Sequence, residues 1–182
     1  MEVLETKLKR CYIIEPKIFE DTRGYFFESF NTNTFNKATN SKISFIQDNE
    51  SYSSKGVLRG LHYQTGKYAQ AKLVRVIKGR VLDIAVDLRQ NSKTFGEHIS
   101  VELSGKNKKQ LLVPRGFAHG FIVLSETALF SYKCDNYYNK ESEQGIIFND
   151  KDLNIDWKLP EKEIIISKKD NILSSFKNAI LP

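Results

Sequence analysis

The stretch KLVRVIKGRVLDIAVDLR, Lys72 to Arg89, decides the fold class. Its apolar residues recur with period two, which is the spacing of strands rather than helices. Lys78-Gly79 marks a turn between two such strands. In the second, Leu82, Ile84, Val86 and Leu88 share one face. Val81, Asp83, Ala85 and Asp87 share the other, so that face is mixed. The same pattern runs on through HISVEL and QLLVP, with SGKNKK as the turn between them, and through HGFIVLS, TALFSYKC, GIIFND and EIIIS. Helical spacing is scarce. NTNTFNKATN (31–40) is compatible with a short helix, and NILSSFKNAI (171–180) with another at the C-terminus. Many short strands at close spacing predict an all-β sandwich or barrel. The last dozen residues are expected to pack peripherally.

The chain has 182 residues, 40% of them hydrophobic, which suits one domain with a sizeable core. Its net charge is +6, from 28 Lys and Arg against 22 Asp and Glu, and basic proteins favour acidic partners. The cations are scattered, with no run of five, which argues against a nucleic-acid stripe. The two cysteines, Cys11 and Cys134, lie far apart and outside any C-x-x-C, as free thiols in a reducing compartment do. No apolar run approaches the ~18 residues of a membrane span, and MEVLETKLKR does not read as a signal peptide. These features predict a cytoplasmic protein with no membrane or nucleic-acid partner.

Polar residues interrupt the strand pattern in four places. In GVLRGLHYQ (56–64), His62 has Gln64 on its own face, with Arg59 before it and Lys72 opening the next strand. Cations are rarely buried without partners, so this grouping suggests a pocket for an anion. Arg59 and His62 are three apart, and a straight strand would point them to opposite faces. Either the strand bulges at Gly60 or Arg59 serves a neighbouring subunit. In PRGFAHGF (114–121), Pro114 and Gly116 make a turn and His119 opens the strand beyond it. A histidine there matches half of the metal pattern of cupins, small β-barrel proteins. The first half, His62-Tyr63-Gln64, lacks a second histidine, so the ligands fall short of a catalytic metal site. In SYKCDNYY (131–138), Tyr132 and Tyr138 offer a proton donor or a stacking ring. EDTRGYFFESF (20–30) and FIQDNESYS (45–53) place Arg23, Glu28, Gln47, Asp48 and Asn49 beside aromatic and apolar residues.

Taken together, DTRGYFFESF, FIQDN, GVLRGLHYQ, QAKLVRVIKGRVLDIAVDLR, TFGEHISVELS, NKKQLLVPRGFAHGF and NYY, in this order, closely resemble the dTDP-4-dehydrorhamnose 3,5-epimerase family. The resemblance covers nearly the whole chain. It implies a cupin-like double-stranded β-helix, or jelly-roll barrel, with short peripheral helices. It implies a homodimer that exchanges N-terminal strands, and no metal or organic cofactor. The implied substrate is dTDP-4-dehydro-6-deoxy-D-glucose, inverted at C3 and C5 on the route to dTDP-L-rhamnose. Residue by residue, it makes His62 the general base, Asp170 its carboxylate partner, Lys72 the group beside the substrate ketone and Tyr132 the proton donor. Tyr138 resembles the ring that stacks on thymine. Arg23, Glu28, Gln47, Asp48, Asn49, Arg59, His119, Glu143 and Lys168 match positions that hold the nucleotide sugar.

Other readings stay open at this stage: an enzyme inverting one carbon only, a relative acting on another nucleotide's 4-keto sugar, a non-catalytic sugar-nucleotide-binding cupin, and a metal-dependent cupin dioxygenase. The joint presence of His62, Lys72 and Tyr132 favours catalysis, since binding alone needs neither a base nor an acid.

Overall fold

The computed structural model describes all 182 residues, and the period-two pattern is realised as thirteen strands. They are β1 (Glu2–Glu5), β2 (Tyr12–Glu15), β3 (Phe19–Asp21), β4 (Gly24–Phe26), β5 (Gln47–Ser54), β6 (Leu58–Gln64), β7 (Lys72–Lys78), β8 (Arg80–Asp87), β9 (His98–Ser104), β10 (Gln110–Val113), β11 (Phe117–Val123), β12 (Thr127–Cys134) and β13 (Glu143–Gly145). One helix, α1 (Thr32–Thr39), follows β4. Asn31 caps it by accepting from the backbone N–H groups of Asn33 and Thr34, and Asn40 ends it in the left-handed region.

Eleven of the strands form two antiparallel sheets, a six-stranded one in the order β1-β2-β10-β7-β12-β5 and a five-stranded one in the order β13-β6-β11-β8-β9. This is the cupin-like jelly roll, which folds two sheets face to face. The core between them holds Val74, Val76, Val81, Ala85, Phe121, Val123 and Phe130. The outer face of the smaller sheet is also covered. Leu82, Ile84, Val86, Leu88, Ala118 and Ile122 pack there under Phe148, Leu153 and Trp157 from the C-terminal segment. Burial on both faces explains why every residue of β8 after Arg80 is buried. Each such Leu, Ile or Val contributes about 1.5–3 kcal/mol. A third cluster, built on Ile14, Phe35, Leu73 and Leu112, seats α1 on the larger sheet.

Several expectations are corrected. GIIFND gives only the end of β13 and one isolated bridge at Ile146, and EIIIS gives one bridge, Ile165 to Val57. Ile164 and Ile166 pack on the smaller sheet's outer face, so this apolar run covers strands instead of adding one. NILSSFKNAI forms no α-helix; two short 3₁₀ turns, Asp170–Ile172 and Phe176–Asn178, occupy it. His119 is the third residue of β11, not its opening one. β2 lies between β1 and β10 in the larger sheet. What protrudes is the hairpin of β3 and β4, which pair only with each other. No helix is long and apolar enough to cross a membrane.

Candidate active site

The interior of the barrel changes character along its length. On β8, Val81 and Ala85 belong to the central core, yet Asp83 between them is wholly buried. On β11, Phe117 and Phe121 belong to it, and His119 lies between them. His119 pairs with His62 of β6 on one side and with Ala85 of β8 on the other. β12 brings Tyr132 opposite Val74 and Cys134 opposite Lys72. Polar inward positions from different strands thus collect at one end of the barrel.

Arg59 and His62 reach the same cavity because β6 bulges between them. Its register against β11 shifts, with His62 opposite His119 but Arg59 opposite Phe121, so β6 carries one residue more than its partner. Gly60 makes this possible. Its φ is +129°, and a Cβ there would lie 2.6 Å from the Cα of Gly120. Within this one chain the bulge suffices, and no second subunit is needed to bring Arg59 in.

The cavity has a volume of about 590 Å³, and its walls include Asn49, Arg59, His62, Lys72, His119, Tyr132 and Asp170. A smaller compartment of about 160 Å³ adjoins it, sharing Asn49, His62, Lys72 and Tyr132 and adding Gln47, Tyr138 and Glu143. His62 Nε2 lies 2.8 Å from Asp170 Oδ1. Burial works against the Asp170 charge, but hydrogen bonds and charge from His62, together with the Gly60 N–H and the Ser167 hydroxyl, leave its carboxyl below the ordinary value. With Nε2–H donated to Asp170, Nδ1 of a neutral His62 carries the lone pair.

His119 forms a second pair: its Nε2 lies 2.9 and 3.1 Å from the two carboxylate oxygens of Asp83. Burial raises the Asp83 carboxyl, and His119 and Lys72 pull against that rise. Burial likewise lowers Lys72, opposed by Cys134, Asp83 and Glu143. Lys72 Nζ stands 5.9 Å from the centroid of the Tyr132 ring. Burial raises the Tyr132 hydroxyl, which therefore holds its proton. Cys134, in the smaller compartment, is raised by burial to about 11 and is an inert thiol at neutral pH.

The remaining expected residues divide. Arg59 donates to Ser53 Oγ at 3.2 Å, and Gln47 donates to Asn49 Oδ1 at 3.1 Å. Tyr138 OH donates to Glu143 Oε2 at 2.9 Å, and Glu143 also pairs with Lys169. Asp48 points to the other face of β5, where it pairs with Lys133 at 2.8 Å. Lys168 is exposed and does not line the cavity; its neighbour Lys169 does. Arg23 sits at the tip of the protruding hairpin, paired with Asp21, and lines neither compartment, nor does Glu28. Sequence reasoning left Asp83 as one polar residue on a mixed face and passed over Lys169. Gln64, two residues beyond His62, has its amide bonded to backbone groups of Tyr68, Tyr137 and Asn139. No group of three or more His, Cys, Asp or Glu side chains is placed to hold a metal ion.

The profile of the family described as dTDP-4-dehydrorhamnose 3,5-epimerase matches residues 5–178. The enzyme of that name from Escherichia coli K12 is 50% identical over 181 residues, covering 99% of this chain and 97% of that protein. Among solved structures, the dTDP-4-dehydrorhamnose 3,5-epimerase of Elizabethkingia anophelis is 61% identical with a TM-score of 0.94, covering 98% of this chain and 97% of that one. The dTDP-6-deoxy-D-glucose-3,5-epimerase of Legionella pneumophila, solved in complex with dTDP-4-keto-L-rhamnose, is 47% identical with a TM-score of 0.94, covering 97% of this chain and 93% of that one. With its jelly roll, its polar barrel end and this match along nearly its whole length, the chain belongs to the dTDP-4-dehydrorhamnose 3,5-epimerase family.

Proposed function

We propose that this protein is an isomerase that inverts C3 and C5 of dTDP-4-dehydro-6-deoxy-D-glucose, giving dTDP-4-dehydro-L-rhamnose. The observation that carries the reading is the His62–Asp170 pair in a cavity also lined by Lys72 and Tyr132. The 4-keto group acidifies the C–H bonds on both flanking carbons. His62 Nδ1 takes the proton, and the C–H electron pair moves into an enolate whose negative charge rests on O4. Lys72 offsets that charge as an oxyanion-hole donor does. Tyr132 then gives a proton to the opposite face of the carbon, and the electron pair returns to re-form the ketone. His62 loses its proton to solvent and Tyr132 regains one, so the net change is the configuration alone. Asp170 holds the tautomer and favours the imidazolium formed midway.

Arg59 and His119 are assigned to the diphosphate and sugar, and Gln47, Asn49, Tyr138 and Glu143 to the nucleoside. The arginine fork matches phosphate geometry. Lys169, which lines the cavity, takes the place expected of Lys168. Arg23 and Glu28 are assigned to the cavity of a second copy. The hairpin that bears Arg23 pairs with no other strand and exposes Phe19, Tyr25 and Phe26 by 53%, 57% and 71%, a large apolar surface to leave in water. A homodimer that docks each hairpin on the other barrel would cover it. Sedimentation should therefore give twice the 21.0 kDa chain mass.

Incubation with dTDP-4-keto-6-deoxy-glucose in deuterated water, followed by NMR, tests the activity. Deuterium at both C3 and C5 with inverted product is the expected result. Exchange at one carbon alone would make the protein a single-site epimerase, and no exchange would remove the reading.

A further inference from the structure

The ring of Tyr138 is 55% exposed, so side-chain packing does little to fix its place. The backbone on both sides of it is nonetheless held. Gln64 ends β6 and is 5% exposed. Its Nε2 donates to the carbonyls of Tyr68 at 2.7 Å and Tyr137 at 3.1 Å. Its Oε1 accepts from the N–H of Asn139 at 2.6 Å. One buried amide therefore grips the residue before Tyr138 and the residue after it, and ties both to the turn at Tyr68. The N–H of Tyr138 itself donates to Gln47 Oε1 at 3.1 Å.

We propose that Gln64 is a positioning residue for nucleotide recognition: it pre-orders the 137–139 segment so that the exposed Tyr138 ring stands ready as a stacking platform. The inference rests on the assignment of Tyr138 to the base. A flat ring binds a base well only if it is already in place, because ordering it on binding subtracts from affinity. The carbonyls of Tyr68 and Tyr137 take both amide hydrogens of Gln64, so it has no donor left for the ligand and acts through the segment that carries Tyr138.

A double-mutant cycle with dTDP as the probe tests this, read by calorimetry on the full chain. Tyr138→Ala should weaken dTDP binding by roughly 5- to 150-fold, the equivalent of one lost stack. Gln64→Leu, which leaves three backbone groups without their partner, should weaken it by about tenfold in the wild-type background. In the Tyr138→Ala background it should cost less than about twofold, and in turnover its loss should fall on KM rather than kcat. Gln64→Glu keeps the acceptor for Asn139 but not the donors, and should lie between. Additive losses, or a loss confined to kcat, would overturn the proposal. Hydrogen exchange on the wild type needs no variant: the Asn139 amide should be protected, and exchange at the unfolded rate would also overturn it. Failure of the wild type to bind dTDP would instead strike the functional assignment, leaving the exchange measurement to judge the clamp.

Discussion

His62 Nε2 and Asp170 Oδ1 lie 2.8 Å apart although 108 residues separate them in the chain. His62 comes from β6 of the smaller sheet. Asp170 comes from a 3₁₀ turn in the C-terminal segment, is 4% exposed, and has its backbone N–H tied to Ser167 Oγ at 3.0 Å. A catalytic pair of this kind depends on where an irregular segment comes to rest on the barrel.

His62→Ala should lower kcat by about 10²–10⁴-fold, the range of a general base, with the melting temperature little changed. Asp170→Asn keeps the shape but presents an amide to Nε2. It should lower kcat by a smaller factor and leave KM nearly constant. Steady-state kinetics on folded variants decide the matter. A His62→Ala enzyme retaining more than about a tenth of wild-type activity would exclude His62 as the base.

Tyr132→Phe removes one hydroxyl and keeps the ring that packs beside Phe130, 6.1 Å between centroids. Substrate should bind normally and still exchange C–H for solvent deuterium, because His62 is untouched. Inverted product should become scarce. NMR in deuterated water separates the two outcomes, and inversion at the wild-type rate would place the acid elsewhere.

Gly60→Ala should abolish activity through the backbone. The added Cβ would meet Gly120 Cα at 2.6 Å and His119 O at 2.9 Å, at a φ of +129° that L side chains rarely adopt. The bulge would have to open, turning either Arg59 or His62 away from the cavity. We expect a destabilisation of about 2–4 kcal/mol in urea melts together with lost turnover. A variant as stable and active as the wild type would show that the bulge does not need glycine.

Asp87 should make stability depend on acid. It is wholly buried. Burial opposes its charge, but Arg89, Ser92 and Thr94 donate to it and bring its carboxyl down from 3.8 to about 2. A carboxyl lowered on folding contributes stability that is present in full above its unfolded value and is lost as pH falls through the folded one. The contribution, on the order of 2 kcal/mol, should therefore fade from about pH 4 to pH 2. Thermal melts of wild type and Asp87→Asn should differ at pH 7 and converge near pH 2. A gap that is constant with pH would mean the carboxylate charge is not what stabilises this turn.

The local pattern carried most of the barrel. Alternation in Lys72 to Arg89 told of two strands and named the faces of the second, because side chains in a strand must alternate and each face meets a different environment. The mixed face of Asp83 and Asp87 was legible as an anomaly, and so was the histidine in GVLRGLHYQ. The match to family motifs then assigned roles to single residues. What the sequence left undetermined is whatever depends on distant segments meeting. EIIIS reads as a strand because a covering segment and a pairing segment need the same apolar residues; only the assembled sheet shows that its outer face was the vacant one. The spacing of Arg59 and His62 posed a choice that the bulge against β11 resolved. The partnering of His119 with Asp83, and of Lys169 rather than Lys168 with the cavity, follows from three-dimensional register. A one-residue shift in an irregular tail leaves no periodic trace, yet it moves a charge from solvent to the site.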